Sequence, residues 1–119
     1  MDTHRLGQRF EDAAARWLAA RGWDVLQRNV RFRRREVDLV IRRRDLVAFV
    51  EVKGRQGQGY GQPAEAVTWK KRGEIESVAR WWVEQHGTPN LSYRFDVVSI
   101  MANRGGELEI EHLEDAWRP

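Results

Sequence analysis

The 119-residue sequence contains no cysteine, and proline and methionine are scarce, with three and two residues. Without cysteine the chain has no disulfide, no thiolate metal site and no cysteine nucleophile. No stretch approaches the roughly 18 apolar residues that a membrane-spanning helix needs, and the first ten residues lack the apolar core of a signal peptide. We therefore expect a cytoplasmic protein without a membrane partner.

Charged residues are abundant, at 33% of the chain, but they nearly balance at a net charge of +3. Their distribution is uneven. Residues 28–55 contain ten basic and four acidic side chains, whereas residues 105–119 contain one basic and five acidic. A basic segment of this density favours contact with phosphate groups. The length and the 41% hydrophobic content predict one domain, residues 1–119, around a single core.

Hydrophobic periodicity predicts two helices, at residues 6–21 and 64–85, with Thr68 available as an N-cap if the first turn of the second is irregular. The predicted strands are the runs at residues 23–30, 37–41, 46–53, 93–101 and 108–113. The glycine-rich residues 54–63 predict a loop. Because a helix between two strands usually forms a crossover, strands 46–53 and 93–101 should be parallel. The expected fold is α/β, with a mixed sheet flanked by helices.

The strongest chemical signal is a set of ionisable side chains inside apolar strands, where burial is costly. If the second hairpin turns between Arg44 and Asp45, residues whose numbers sum to 89 face each other, and Asp38 lies opposite Glu51. Two carboxylates on directly opposite strand positions, with Cβ atoms roughly 5 Å apart, repel unless a cation or a proton lies between them. Mg²⁺ is held by one or two carboxylates with waters and phosphate oxygens. The alternative is a cross-strand salt-bridge ladder on a solvated face.

Two further acids are interpreted as supporting residues. The same register puts Glu36 opposite Lys53, and Asp96 anchors a strand end or a neighbouring arginine. The three histidines are scattered singly near the ends of elements and do not predict a zinc site.

Several sequence blocks, spread over nearly the whole chain, match a known family pattern. The blocks are Gly7-x-x-x-Glu11-x-x-Ala14, Glu36-Val-Asp38-Leu-Val, Phe49-Val-Glu51-Val-Lys53-Gly-Arg55, Tyr60-Gly61-x-Pro63-x-Glu65-Ala66 and Arg94-Phe-Asp96-Val-Val. They resemble the YraN family of uncharacterised bacterial proteins, which has a restriction-endonuclease-like fold with an αβββαβ core. The wider superfamily is that of the PD-(D/E)xK nucleases, which includes archaeal Holliday-junction resolvases. Arg35 departs from the pattern, because the family usually has glycine there.

The resemblance implies a role for each matching residue. Asp38 and Glu51 correspond to the metal-binding acids, Lys53 to the catalytic lysine, and Glu11 to a helix acid that reaches the metal directly or through water. For Glu11, an ordinary exposed helix ion pair is the open alternative. The implied reaction is hydrolysis of phosphodiester bonds in DNA, including branched or structured DNA, assisted by Mg²⁺ or Mn²⁺.

Basic residues near these acids predict contacts with the phosphate backbone of DNA. They are Arg31, Arg33, Arg34, Arg35, Arg55, Lys70 and Lys71. A non-catalytic nucleic-acid-binding module of the same fold is the alternative function, and a protein-binding role is a third. Trp81 and Trp82 cannot both face one core. The more exposed of the two marks a homodimer surface, a base-stacking contact or simple partial burial.

Overall fold

The computed structural model describes residues 3–56 and 67–119, in which two helices flank one five-stranded sheet. In chain order the elements are α1 (Thr3–Ala20), β1 (Asp24–Phe32), β2 (Arg35–Arg43), β3 (Leu46–Gln56), α2 (Trp69–His86), β4 (Ser92–Ala102) and β5 (Leu108–Trp117). The predicted α/β class and restriction-endonuclease-like order of elements are confirmed. Neither of the helices in the described ranges is long and apolar enough to cross a membrane.

The strands lie in the sheet in their chain order, β1-β2-β3-β4-β5. Neighbouring strands are antiparallel except β3 and β4, which run parallel from the pair Leu46 and Ser92 to the pair Gln56 and Ala102. A parallel pair needs a crossover connection, and α2 lies in that connection. The predicted parallel pairing is therefore confirmed.

The β2–β3 hairpin turns at Arg44 and Asp45, and its closing pair is Arg43 with Leu46. Arg44 adopts a left-handed φ of 55°, which glycine usually supplies in a two-residue turn. Its carbonyl accepts a hydrogen bond of 2.7 Å from Arg42 Nε. The pairs along the hairpin all sum to 89, so the predicted register is confirmed.

The two helices cover opposite faces of the sheet and produce two hydrophobic clusters. Consecutive residues of β3 alternate between them: Phe49 packs with Trp82 of α2, and Val50 packs in the cluster that contains Leu18 of α1. Both faces of the central strands are thus covered. Ionisable side chains of these strands can reach solvent only near the ends of the sheet.

Helix α2 begins later than its periodicity predicts. Thr68 is extended, at φ −67° and ψ 163°, and its hydroxyl accepts a 3.2 Å hydrogen bond from Lys71 N, so Trp69 is the first helical residue. Thr68 is therefore the N-cap, and the predicted helical position of the buried Val67 is wrong. The predicted residues 64–66 lie outside the described residues.

Strand β3 is longer than predicted and continues through Gly54 to Gln56. Its parallel pairing with β4 continues along this extension, so the predicted start of the loop at residue 54 is wrong. A Cβ atom at Gly54 would overlap the ring of Phe10, because α1 packs directly on the strand here. Glycine is required by this close approach. Residues 57–63 of the predicted loop lie outside the described residues.

Candidate active site

An open cleft of about 580 Å³ lies between the start of α1, the β1–β2 hairpin and the first turn of α2. Its lining includes Glu11 from α1, Asn29 from β1, Glu36 and Asp38 from β2, and Lys71 from α2. Four elements thus contribute polar side chains to one concave surface. Three carboxyl groups and one ammonium group in the same cleft make it the candidate site.

The two predicted metal-binding acids lie where the pairing of β2 and β3 ends. The last regular pair is Leu39 with Val50, one pair short of Asp38 and Glu51. Beyond it, Val52 N donates a hydrogen bond of 2.7 Å to Asp38 Oδ2, so a side chain takes the place of a backbone acceptor. The end of the ladder therefore places the Asp38 carboxylate against β3, where it hydrogen-bonds with Glu51.

Glu51 is nearly inaccessible to solvent, with 4% of its surface exposed. This burial raises its pKa to about 9, and the hydrogen bond with Asp38 and the negative charge of that residue add to the shift. The charges of Lys71 and Lys53 oppose the rise. Without a metal ion, the carboxyl pair therefore holds one proton at neutral pH, which removes the repulsion between its members.

One oxygen of this pair is suited to a ligand. Glu51 Oε2 is buried and has no hydrogen-bond partner among the described residues, and Lys71 Nζ lies 3.5 Å from it. A buried oxygen without a partner is costly unless a cation or a donor approaches it. The donor set, two carboxylates beside an open cleft, fits Mg²⁺ or Mn²⁺ completed by waters and phosphate oxygens. Within residues 3–56 and 67–119, no three Asp, Glu or His side chains converge on one point.

Glu11 lies in the same cleft but contacts a different partner. Asn29 has a left-handed φ of 52°, and its amide nitrogen, turned toward the acids, donates to Glu11 Oε1 at 2.7 Å and to Glu36 Oε1 at 2.6 Å. Burial raises the pKa of Glu11, as do the charges of Asp38 and Glu36, whereas Arg28 opposes the shift. The structure therefore brings Glu11 to the cleft, and its role as a metal ligand stays a prediction.

The two lysines near Glu51 differ in position. Lys53 follows it by two residues on β3, whereas Lys71 reaches the cleft from α2. Of the two positive charges, that of Lys71 lowers the pKa of Glu51 more. Glu36 forms an ion pair with Arg31 of β1, at 3.3 Å, and the pairing of β2 with β3 ends at Leu39 and Val50, so it does not include the predicted alignment of Glu36 with Lys53.

The arginine run forms the tip of the β1–β2 hairpin. Its closing pair is Phe32 with Arg35, and Arg33 takes a left-handed φ of 60°, so the turn forms without the glycine that the family usually has. The guanidinium of Arg33 lies 5.2 Å from the ring centre of Phe32, and Arg35 Nη1 donates to Ser77 Oγ of α2 at 2.9 Å. Arg34 is exposed. The tip is thus a cationic projection beside the cleft.

The other four predicted DNA contacts occupy several elements. Arg31 and Lys71 line the cleft, Lys70 is exposed on the first turn of α2, and Arg55 is half-buried near the end of β3. Positive charge therefore comes from both sides of the carboxyl pair.

The most buried acid of the sheet belongs to a separate network. Asp96 is fully buried, accepts two hydrogen bonds from Arg94 at 2.8 and 2.9 Å and one from Asp115 N at 3.0 Å, and contacts His112 Nε2 at 2.7 Å. Burial raises its pKa, but the bonds with His112, Arg94 and Asp115 outweigh it and leave the pKa below its usual value. Asp96 anchors a neighbouring arginine, as predicted, and supports β5, which continues to Trp117 instead of ending at residue 113.

The three tryptophans of α2 differ in their exposure to solvent. Trp82 is buried, whereas Trp81 is half-buried and stacks on Phe32 with ring centres 5.4 Å apart, so Trp81 is the more exposed of the two and is partly buried. Trp69, which the sequence analysis did not single out, is 85% exposed at the start of α2. Its position next to the basic Lys70 was the sequence feature that could have indicated an exposed tryptophan.

Sequence comparisons agree with the resemblance noted above. The profile of the Uncharacterised protein family UPF0102, the YraN family, matches residues 10–100. A UPF0102 protein of Rhodococcus jostii (strain RHA1) is 46% identical over 112 residues, which cover 94% of this chain and 95% of the relative. A UPF0102 protein of Prosthecochloris aestuarii is 40% identical over 119 residues, with 96% and 94% covered. One from Symbiobacterium thermophilum is 37% identical over 115 residues, with 97% and 98% covered. The chain therefore belongs to the uncharacterised protein family UPF0102.

Proposed function

We propose that this protein is a Mg²⁺-dependent nuclease that hydrolyses phosphodiester bonds in DNA. The observation that carries the proposal is the buried pair of Asp38 and Glu51, which includes an oxygen without a hydrogen-bond partner among the described residues, beside an open cleft. A purely structural ion pair gains most when every polar atom is satisfied. The pair of Asp38 and Glu51 instead carries a high cost of burying two carboxyl groups together and leaves one oxygen, Glu51 Oε2, without a hydrogen-bond partner among the described residues. This arrangement is expected of a ligand site.

Asp38 and Glu51 would hold the metal ion, and a bound Mg²⁺ would supply Lewis acidity and lower the pKa of a coordinated water. Val52 N keeps the Asp38 carboxylate in place, so the pair is held by backbone as well as by side chains. Lys71 and Lys53 would stabilise negative charge that develops on the phosphate group. Glu11, restrained by Asn29, would bind the metal through water or orient the attacking water.

The basic side chains on both sides of the cleft favour a polyanionic substrate. Arg31 lies in the cleft, the arginines at the hairpin tip project beside it, and Lys70 is exposed on α2. Contacts of this kind hold the phosphate backbone without reading bases and weaken steeply as salt increases. Mn²⁺, which shares the preference of Mg²⁺ for oxygen ligands, should replace it in cleavage assays.

The test is cleavage of labelled linear, flapped, single-stranded and four-way DNA with Mg²⁺ or Mn²⁺. Asp38→Asn and Glu51→Gln keep the shape of each side chain but cannot supply a carboxylate to the metal, so both should lower the cleavage rate by about 100-fold or more while DNA binding remains. Asp45→Asn is the matched control, because its carboxylate is exposed at the opposite end of the β2–β3 hairpin. That variant should cut at the wild-type rate.

Two results would count against the proposal. Cleavage by Asp38→Asn at the wild-type rate would exclude the carboxyl pair as the catalytic centre. Salt-sensitive DNA binding by folded wild-type protein, with no cleavage of any substrate in the panel, would assign the chain to the non-catalytic binding modules instead.

A further inference from the structure

Asn29 has a backbone conformation that is unusual inside a β-strand. Its φ of 52° lies in the left-handed region, which asparagine tolerates better than most residues with a side chain. Arg28 contacts Asp12 of α1, whereas Val30 packs in the cluster under α2. Residues two positions apart on a regular strand point to the same face, so β1 changes sides at Asn29.

The neighbouring strand changes sides at the matching position. The pairs on either side place Asn29 opposite Asp38 of β2. Val37 packs in the cluster under α2 and Leu39 in the cluster under α1, so β2 changes sides at Asp38. Both interruptions direct a polar side chain away from the cores, and both of these side chains line the cleft.

The side chain of Asn29 links two acids that belong to different elements. Its amide nitrogen donates to Glu11 Oε1 of α1 at 2.7 Å and to Glu36 Oε1 of β2 at 2.6 Å. An amide nitrogen carries two N–H groups, so these two contacts use its full donor capacity. Among the described residues, Asn29 is the only hydrogen-bond donor to Glu11, whereas Glu36 also forms an ion pair with Arg31.

Without this amide group, electrostatics would move Glu11 out of the cleft. Glu11, Glu36 and Asp38 line the same cleft, and like charges repel each other. The positive charge of Arg28 attracts Glu11, and Arg28 already contacts Asp12, the next residue of α1. A glutamate side chain that lost its donor would therefore turn toward Arg28 or toward solvent.

We propose that Asn29 is a positioning residue of the candidate active site. Its amide group holds the Glu11 carboxylate beside Asp38, where Glu11 contributes to the binding of the metal ion. Asn29 acts through Glu11 and contacts neither the metal nor the DNA. The inference rests on the proposed function for the metal ion, and it adds a residue of β1 that fixes α1 to the carboxyl pair.

Hydrogen exchange of the Asn29 side chain tests the two contacts without metal or DNA. In ¹⁵N-labelled protein in EDTA, its amide protons should exchange with water more slowly than those of the exposed Asn90, by about tenfold or more. Glu11→Ala and Glu36→Ala should each accelerate this exchange, because each variant removes one acceptor. Exchange as fast as that of Asn90 in the wild-type protein would overturn the proposal.

Titration with Mn²⁺, measured by isothermal titration calorimetry, tests the effect on the metal. Asn29→Gly removes the amide but still permits the left-handed backbone, and it should weaken Mn²⁺ binding by about tenfold or more. In a Glu11→Ala background the same substitution should change the affinity by less than about twofold. Arg44→Gly is the matched control, because it removes the side chain of a left-handed residue at the far end of the β2–β3 hairpin, and it should bind Mn²⁺ as the wild type does.

A second variant covers the case in which Asn29→Gly does not fold. Asn29→Ser keeps a polar side chain that is too short to bridge the two acids, and it should weaken Mn²⁺ binding in the same way. In cleavage assays at a fixed, sub-saturating Mg²⁺ concentration, both variants should lower kcat and leave the KM for DNA within about twofold. A raised KM with unchanged kcat would assign Asn29 to DNA contact and overturn the proposal.

Three other results would overturn the inference. They are an unchanged Mn²⁺ affinity in the folded variants, an equal loss of affinity in the wild-type and Glu11→Ala backgrounds, and no Mn²⁺ binding by folded wild-type protein. The two proposals fail separately. Cleavage that requires Asp38 and Glu51 but tolerates Asn29→Gly would leave the nuclease standing, and Mn²⁺ binding that depends on Asn29 without any cleavage would leave the positioning role standing.

Discussion

Replacing Glu51 by glutamine should remove one specific pH dependence from the stability of the metal-free protein. The folded-state pKa of Glu51 is raised to about 9 from an ordinary value of 4.5, chiefly by burial. Between these two values the folded protein keeps a proton that the unfolded chain has lost. The stabilisation that this proton provides is complete below pH 4.5, decreases as pH rises, and is gone above pH 9.

The expected size follows from proton linkage. One proton bound only in the folded state changes the free energy of unfolding by about 1.4 kcal/mol per pH unit, so stability should decrease by about 2 to 3 kcal/mol from about pH 5.5 to about pH 7.5. Glutamine has nearly the same shape, stays neutral and donates a hydrogen bond to Asp38. The Glu51→Gln variant should lack this component, and its stability relative to wild type should increase by the same amount over the interval.

The assay is urea unfolding followed by tryptophan fluorescence, in EDTA, at several pH values for each protein. Other titrating groups act equally in both proteins, so the difference between the two curves isolates Glu51. Adding Mg²⁺ near pH 7.5 should stabilise wild type, because the metal replaces the proton, and should have little effect on Glu51→Gln. Parallel pH dependences of wild type and variant would refute the shared proton and, with it, the electrostatic basis of the site.

Three further predictions concern the surroundings of the site. Brief acetylation read by mass spectrometry reports on all three lysines of the chain. Mg²⁺ should raise the labelling of Lys71, because a metal bound by Glu51 would displace the Lys71 ammonium group from Glu51 Oε2, but it should not raise that of the exposed Lys70; equal labelling of Lys71 with and without Mg²⁺ would contradict this. Asp96→Ala should lower the free energy of unfolding by about 3 kcal/mol, because it removes the buried acceptor of Arg94 and of Asp115 N, and a loss below about 1 kcal/mol in urea titration would exclude that account. Gly54→Ala should cost about 2 kcal/mol through overlap with Phe10, yet almost nothing in a Phe10→Ala background, and equal costs in both backgrounds would argue against the close packing.

The parts of the fold that sequence predicts well are those governed by local periodicity. The apolar stripe of α1 and the β-branched runs of β2 and β3 each report which face is buried, and the polar Arg44 and Asp45 between two such runs locate the turn. Register then follows by counting, and counting is sufficient to bring Asp38 and Glu51 together.

Features that interrupt the regular alternation of side chains along a strand could not be predicted from periodicity. Val37 packs in the cluster under α2, whereas Leu39 packs in the cluster under α1, so the alternation of side chains is interrupted at Asp38. No pattern in the sequence marks this interruption. The contact between Asp96 and His112 was missed for a similar reason, because a shift in the β4–β5 register near Asp96 alters the counting that would relate two residues sixteen positions apart.

The interruption at Asp38 links the fold to the proposed chemistry. If the β2–β3 ladder continued regularly through Asp38 and Glu51, Val52 N would donate its hydrogen bond to a backbone carbonyl. The Asp38 carboxylate would then lack the hydrogen bond that it accepts from Val52 N. Instead the ladder ends, Asp38 accepts a hydrogen bond from Val52 N, and Glu51 remains buried beside it with one oxygen that has no hydrogen-bond partner among the described residues. The same geometry that makes Glu51 costly as an anion would favour the binding of a divalent cation by the two acids, as the proposed function requires. Under the proposed function, a cation that replaced the shared proton would stabilise the fold and complete the site in a single step.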